Sequence, residues 1–227
     1  MSGRVVMVNV TGDAQQHHAA LESVVSPERA EQAARYHFAA DRLLSLVAGA
    51  LITVCVTEAL GAGVAPTFTR GAWGKPYCPQ LGARGLDVNV SHTRGWVACA
   101  VARGAIGVDV EWEREVASAD LAAYLHPDEV ADPAGCDLLT LWTVREAYVK
   151  QLGMGMFQPA DSFRVLSTGP ELRILAGGAP VEDLVVTATR HRDARLAVVS
   201  TEPVTILERS VADVVASALA CLDGVAS

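Results

Sequence analysis

Residues 43–60, LLSLVAGALITVCVTEAL, constrain the fold of this chain more than any other stretch. No charge occurs from Leu43 to Val56, and apolar side chains fall all round the helical wheel rather than along one stripe. That run is shorter than the roughly 20 residues needed to cross a bilayer. It is therefore expected as a helix enclosed by protein. Its β-branched end, residues 52–56, leaves a strand open as an alternative.

Composition gives the chain the means to enclose such a segment. Its 227 residues allow one large domain or two small halves, and 51% of them are apolar. A net charge of −8 leaves no positive surplus for neutralising phosphates, which excludes a general nucleic-acid binder but not a local basic patch. Five cysteines, an odd count without paired spacing, read as reduced thiols, with Cys55 and Cys99 as small core residues. The opening MSGRVVMVNVTGD holds too short an apolar run for a signal peptide. The expectation is a soluble, cytoplasmic protein with no membrane association.

Residues 5–10 read as an opening strand. Ser26-Pro27-Glu28-Arg29 starts a helix, with Ser26 as cap and Pro27 at the first position, expected to reach Tyr36 or Phe38. Asp41-Arg42 then opens the buried segment. Alternation of Leu86, Val88 and Val90 marks a half-buried strand that ends at Ser91-His92. Strands follow at 96–101 and 106–111, separated by a turn at Arg103-Gly104. Residues 121–130 read as a helix broken at Asp132-Pro133. A further helix starts at Asp137 or Thr140 and stops at Gly153 and Gly155. After a loop at 157–163 come short strands at 164–166, 172–175, 184–189 and 196–200, in the manner of an antiparallel meander, then an apolar helix at 211–222. No internal repeat is visible, yet both halves run from helix to strands, with a break near residue 103.

Four places carry chemistry. Asp109 and Glu111 are two apart on a strand, so both carboxylates share a face, about 6.6 Å apart at strand rise. Such a pair needs a cation, either an arginine or a hard ion such as Mg²⁺, which takes one or two carboxylates plus substrate phosphates. Glu146 and Lys150 stand one helical turn apart. Taken alone they read as a solvated ion pair, but large apolar residues flank them and Lys150 is one of only two lysines among eighteen basic residues. The other, Lys75, sits in a loop between Gly74 and Pro76. Arg29, Arg35 and Arg42 form a basic cluster, either a solvated helix face or a phosphate site.

Together, GKP at 74–76, NVSH at 89–92, IGVDVE at 106–111 and WTVREAYVK at 142–150 resemble, in order and spacing, the 4′-phosphopantetheinyl transferases of the monomeric, surfactin-synthetase-activating type. SPER at 26–29 and PADSF at 159–163 extend the resemblance over nearly the whole chain. It implies an α+β fold, a pseudo-dimer of two similar α/β halves. The first half, residues 1–103, would bind the coenzyme A nucleotide. The second, residues 104–227, would supply the catalytic helix and dock the carrier. Each half would have a short, mostly antiparallel sheet with packed helices, and the active site would lie in the cleft between them.

The implied enzyme moves the phosphopantetheine arm of coenzyme A onto a serine of an acyl or peptidyl carrier protein, releasing adenosine 3′,5′-bisphosphate, for polyketide or non-ribosomal peptide synthesis. By the same resemblance Asp109, Glu111 and Glu146 hold Mg²⁺, and Glu146, Lys150 and His92 are catalytic. Arg29, Arg42, Gly74, Lys75, Pro76, Ser91, His92, Asp109, Arg145 and Lys150 contact coenzyme A. Arg145 replaces the family's lysine before the catalytic glutamate. Gln32 and Leu44 replace residues that are often basic in relatives, and Met154 and Met156 stand near the carrier. A coenzyme A-binding relative without catalysis and a Mg²⁺-dependent pyrophosphate-cleaving hydrolase are the alternatives.

Overall fold

The computed structural model describes residues 2–61, 63–71, 74–113, 121–131, 136–154, 159, 161–168 and 171–226. In chain order, β1 (Gly3–Asn9) leads through a 3-10 turn to α1 (His18–Val24), α2 (Pro27–Ala34) and α3 (Ala39–Leu60). A small hairpin, β2 (Thr69–Arg70) with β3 (Pro76–Tyr77), precedes α4 (Pro79–Gly82), β4 (Leu86–Thr93), β5 (Trp96–Arg103) and β6 (Gly107–Trp112). Then come α5 (Pro127–Ala131), α6 (Leu138–Leu152), β7 (Phe163–Thr168), β8 (Glu171–Ala176), β9 (Ala179–Pro180), β10 (Val185–His191), β11 (Ala194–Ser200), β12 (Val204–Arg209) and α7 (Val211–Ala226).

Two α/β halves meet sheet to sheet. The first sheet has the order β12-β1-β5-β4 and the second β10-β11-β6. Side-chain alternation builds the layers. On β1, Val6 and Val8 join the core around α3 and α7, while Val5 and Met7 face the second sheet. On β5, Val97, Cys99 and Val101 turn to α3, and Trp96, Ala98 and Ala100 turn to Val108, Val110, Leu196 and Val198. The outer face of the second sheet packs on α6 through Ala197 and Val199, with Leu141, Val144, Ala147 and Tyr148 from the helix.

The apolar segment is helical through its β-branched end, and 78% of its most apolar 18-residue window is buried within the protein. It is long and apolar enough to cross a membrane, but sheet and helices cover it. All five cysteines are free thiols, and Cys55, Cys78 and Cys99 are buried.

Three expectations need correction. The helix expected to reach Tyr36 or Phe38 ends at Ala34, with Arg35 as its cap. The helix expected over 121–130 is interrupted by a turn in which Tyr124 N–H bonds Leu121 O, and α5 begins afresh at Pro127, because proline lacks the N–H a continuing helix needs. The broken end at Asp132-Pro133 lies outside the described residues. The third concerns the chain's end. The unpredicted strand β12 pairs in parallel with β1, and Val211, Val214, Val215 and Ala218 of α7 enter the core around α3. The last two elements thus return to the first half, covering the outer edge of β1.

Candidate active site

The site begins with a close approach. A Cβ on Gly107 would lie 1.9 Å from the Ala147 carbonyl oxygen and 2.4 Å from the Gln151 nitrogen. Only glycine lets the backbone of α6 lie directly on β6. Asp137 caps α6, accepting from Thr140 N–H at 2.9 Å, and Gly153 ends it in the left-handed region at φ 70°, ψ 16°. The helix is thereby fixed against the strand that carries Asp109 and Glu111.

The seam between the two sheets is made by side chains. One face of β4 presents Asp87, Asn89, Ser91 and Thr93 to the free edge of β6. Asp87 Oδ2 accepts from Ile106 N–H at 3.1 Å, Asn89 Oδ1 from Val108 N–H at 2.9 Å and Thr93 Oγ1 from Trp112 N–H at 3.2 Å. These bonds satisfy donors that no neighbouring strand reaches. The remaining member, Ser91, donates to the Asp109 carboxylate instead, at 2.8 Å from Oδ1.

Lys150 completes that contact. Its Nζ lies 2.5 Å from Asp109 Oδ1 and 2.9 Å from Ser91 Oγ. The ammonium therefore pairs across the seam with Asp109, not along the helix with Glu146. Asp109 is 4% exposed, and its second oxygen, Oδ2, is buried with no hydrogen-bond partner. Glu111 Oε1 accepts from Trp142 Nε1 at 3.0 Å. Burial, reinforced by the charges of Asp109 and Glu111 and partly offset by Lys150 and Arg145, pushes the Glu146 carboxyl above its ordinary range.

A basic rim borders this acidic centre. His92, next after Ser91 on β4, reaches solvent. Desolvation by the surrounding protein, then the positive charges of Lys150 and Arg29, hold its pKa below the usual histidine value. Arg29 lies on the other side, with its Cγ over Gly49 of α3. Burial and then the charge of Arg70 lower its pKa. Among the described residues neither Arg29 nor Arg70 has a carboxylate partner. Arg70 escaped the sequence reading because its significance depends on the hairpin, where it pairs opposite Pro76 and beside the turn through Gly74.

Three residues expected to contact coenzyme A have partners within the protein. Lys75 Nζ donates to Asp87 Oδ2 at 2.6 Å and to the Ile106 carbonyl at 2.9 Å, tying the hairpin to the seam. Arg42 turns to the loop before α3, with its Nη2 3.4 Å from the His37 carbonyl. Arg145, expected to contact coenzyme A, turns toward Glu129. Its Nη1 lies 3.0 Å from both oxygens of Glu129 and 3.0 Å from the Phe163 carbonyl, and its guanidinium stacks over the Phe163 ring at 4.1 Å. Glu129, itself 3% exposed, draws it inward. Leu44 is a core residue, Met154 is exposed just beyond α6, and Met156 lies outside the described residues.

Both halves are matched by family models. "4'-phosphopantetheinyl transferase, N-terminal" covers residues 12–103 and "4'-phosphopantetheinyl transferase superfamily" covers residues 105–199. The chain belongs to the 4′-phosphopantetheinyl transferase superfamily. Among curated proteins it is similar to a 4′-phosphopantetheinyl transferase of Bacillus subtilis, 31% identical over 63% of this chain and 66% of the relative. It is also similar to Gsp of Aneurinibacillus migulanus, 28% identical over 63% and 62%, and to Sfp of Bacillus subtilis strain 168, 27% identical over 63% and 66%. The matched stretch spans just under two thirds of these relatives' own length.

Proposed function

We propose that this protein transfers the 4′-phosphopantetheine arm of coenzyme A to a serine of an acyl or peptidyl carrier protein, releasing adenosine 3′,5′-bisphosphate. The observation that carries this reading is the buried Asp109, with Lys150 on one oxygen and, among the described residues, no partner on the other, between Glu146 and a basic rim. An acidic centre beside guanidinium groups that have no carboxylate partner among the described residues suits a ligand with a metal-bound diphosphate and a separate phosphate.

Among the described residues no three His, Cys, Asp or Glu side chains gather closely enough to hold a metal by themselves. Magnesium does not require that, since it keeps waters and takes only one or two carboxylates when phosphates complete its shell. The partnerless Asp109 Oδ2 and the mutual repulsion felt at Glu146 fit such an ion. Asp109, Glu111 and Glu146 would share it, one or two of them bound directly and the rest through water. When bound, it would neutralise the diphosphate and polarise the phosphorus for in-line attack.

The chain's own groups supply the rest. Lys150 would take the charge on the leaving bisphosphate. His92, whose pKa is lowered by burial and then by the charges of Lys150 and Arg29, would contact a phosphate through a ring N–H. Arg29, with Arg70 beside it, would grip the 3′-phosphate. As the carrier serine oxygen bonds to phosphorus and the pyrophosphate bond breaks, the serine proton passes to Glu146, directly or through water. Exposed Met154 would lie beside the docked carrier. A monomer in the cytoplasm, serving polyketide or non-ribosomal peptide synthesis, completes the reading.

Mass spectrometry tests it. With coenzyme A and Mg²⁺, an apo carrier should gain about 340 Da, the transferred arm of a phosphoryl-transfer reaction. No shift on any of a panel of fatty-acid, polyketide and peptide carriers contradicts the proposal. Release of adenosine 3′,5′-bisphosphate without a carrier would mark a hydrolase instead. Coenzyme A binding indifferent to Mg²⁺ would mark a non-catalytic relative.

A further inference from the structure

Resting on the transferase reading, we propose that Lys150 and the divalent cation contend for one carboxylate, that of Asp109, with the ammonium on Oδ1 opposing an ion at the neighbouring Oδ2, and that the diphosphate of coenzyme A decides the contest by drawing the ammonium away. Metal and coenzyme A then strengthen each other's binding beyond what shared coordination would give.

The geometry sets up the competition. Nζ has two neighbours, Asp109 Oδ1 at 2.5 Å and Ser91 Oγ at 2.9 Å, and both lie on the seam rather than on its own helix. Ser91 donates to the same oxygen at 2.8 Å, so Oδ1 already receives two donors. Asp109 is buried, which makes its charge costly without a cation close by. The ammonium provides that cation. A metal ion approaching Asp109 meets a like charge at close range in a poorly solvated place, where repulsion is weakly screened. Lys150 is also able to leave. Its side chain is 29% exposed against 5% for Asp109, and its four-carbon stem can swing a compact ammonium to a nearby phosphate. Lys75 differs, because Asp87 and the Ile106 carbonyl hold it at 2.6 and 2.9 Å, in a contact that braces the hairpin. Once the ammonium rests on phosphate, the charge that opposed an ion at Asp109 is neutralised. By linkage, coenzyme A then raises metal affinity by the same factor as the metal raises coenzyme A affinity.

The presence of only two lysines makes a direct test practical. Mg²⁺ binding is measured by calorimetry for the full chain and for Lys150→Met, each with and without coenzyme A. In parallel the side-chain ammonium signals of ¹⁵N-lysine-labelled wild type are followed by NMR. The proposal expects Lys150→Met to bind Mg²⁺ alone about tenfold or more tighter than wild type, with a smaller gain from coenzyme A, since the competition has been removed. It also expects saturating Mg²⁺ to move the Lys150 signal while the Lys75 signal stays. The NMR arm needs no variant, so a poorly folded mutant does not blunt the test. A general effect of lost positive charge would raise affinity without moving that signal. Equal Mg²⁺ affinities, or an unmoved Lys150 signal at saturation, overturn the proposal while leaving the transferase reading intact. Absence of Mg²⁺ binding in both proteins, with and without coenzyme A, overturns both.

Discussion

Helix α6 carries two charged pairs five residues apart in sequence, and their difference separates architecture from chemistry. Arg145 meets Glu129 in a closed arrangement. Beyond Arg145, Glu129 accepts from His126 N–H at 2.9 Å and from Val165 N–H. The Arg145 guanidinium has a carbonyl and an aromatic face as well. That pair ties α5, α6 and β7 together and offers nothing to a ligand. Lys150 and Asp109 form an open arrangement, with one carboxylate oxygen unpartnered among the described residues, two further acids nearby and the lysine side chain 29% exposed. Buried charges that are fully satisfied stabilise or specify a fold. Those left short of partners point to a ligand.

The comparison can be broken most sharply at its open side. Asp109→Asn should lower transfer by about a thousandfold or more, as expected when a group that places the metal and the phosphates is removed, with little change in circular dichroism. A variant within tenfold of wild type would remove Asp109 from the centre. Next comes the surface on which α6 rests. Gly107→Ala should displace the helix, costing about 2 kcal/mol of stability in urea denaturation through overpacking and lowering the rate as well. An unchanged urea midpoint would deny that close approach any role.

Arg70→Ala should raise the Michaelis constant for coenzyme A about tenfold with little change in turnover, because a phosphate grip acts alike on ground and transition states. An unaltered constant would leave Arg29 without its partner. The smallest effect concerns Glu146. Its folded pKa lies above the unfolded value, so the folded protein holds the proton more tightly, and stability falls as pH rises from the unfolded pKa to the folded one. Glu146→Gln should therefore melt about 1–2 °C higher near pH 7, a small gain because solvent still reaches the group, and the gain should vanish near pH 4. A lower melting temperature at pH 7 would reverse the sign.

Much of this was legible in the sequence because it is local. Continuous apolarity announced the enclosed helix α3, Asp137 and Gly153 announced the ends of α6, and alternation on β4 announced a strand with one polar face. What escaped depends on partners far along the chain. The strand β12 pairs in parallel with β1, about as distant in sequence as two strands of this chain can be, and no local signal announces that pairing. The inward turn of Arg145 depends on Glu129, which the sequence places in another helix. Arg70 drew no attention as one exposed arginine among many until α2 brought Arg29 beside it. Spacing put Glu146 and Lys150 on one face correctly, but the partner of Lys150 came from across the seam.

The most direct test of the two-sided account of α6 sets Glu146→Gln beside Arg145→Met in one carrier-modification assay, at a temperature where both are folded, with melting curves recorded on the same samples. The account predicts that Glu146→Gln loses about a thousandfold or more in transfer while melting no lower than wild type. It predicts that Arg145→Met keeps transfer within about tenfold while losing about 3 kcal/mol or more of stability, as expected when one partner of a buried pair is removed. The reverse pattern, with Arg145→Met inactive but as stable as wild type and Glu146→Gln active, would contradict it.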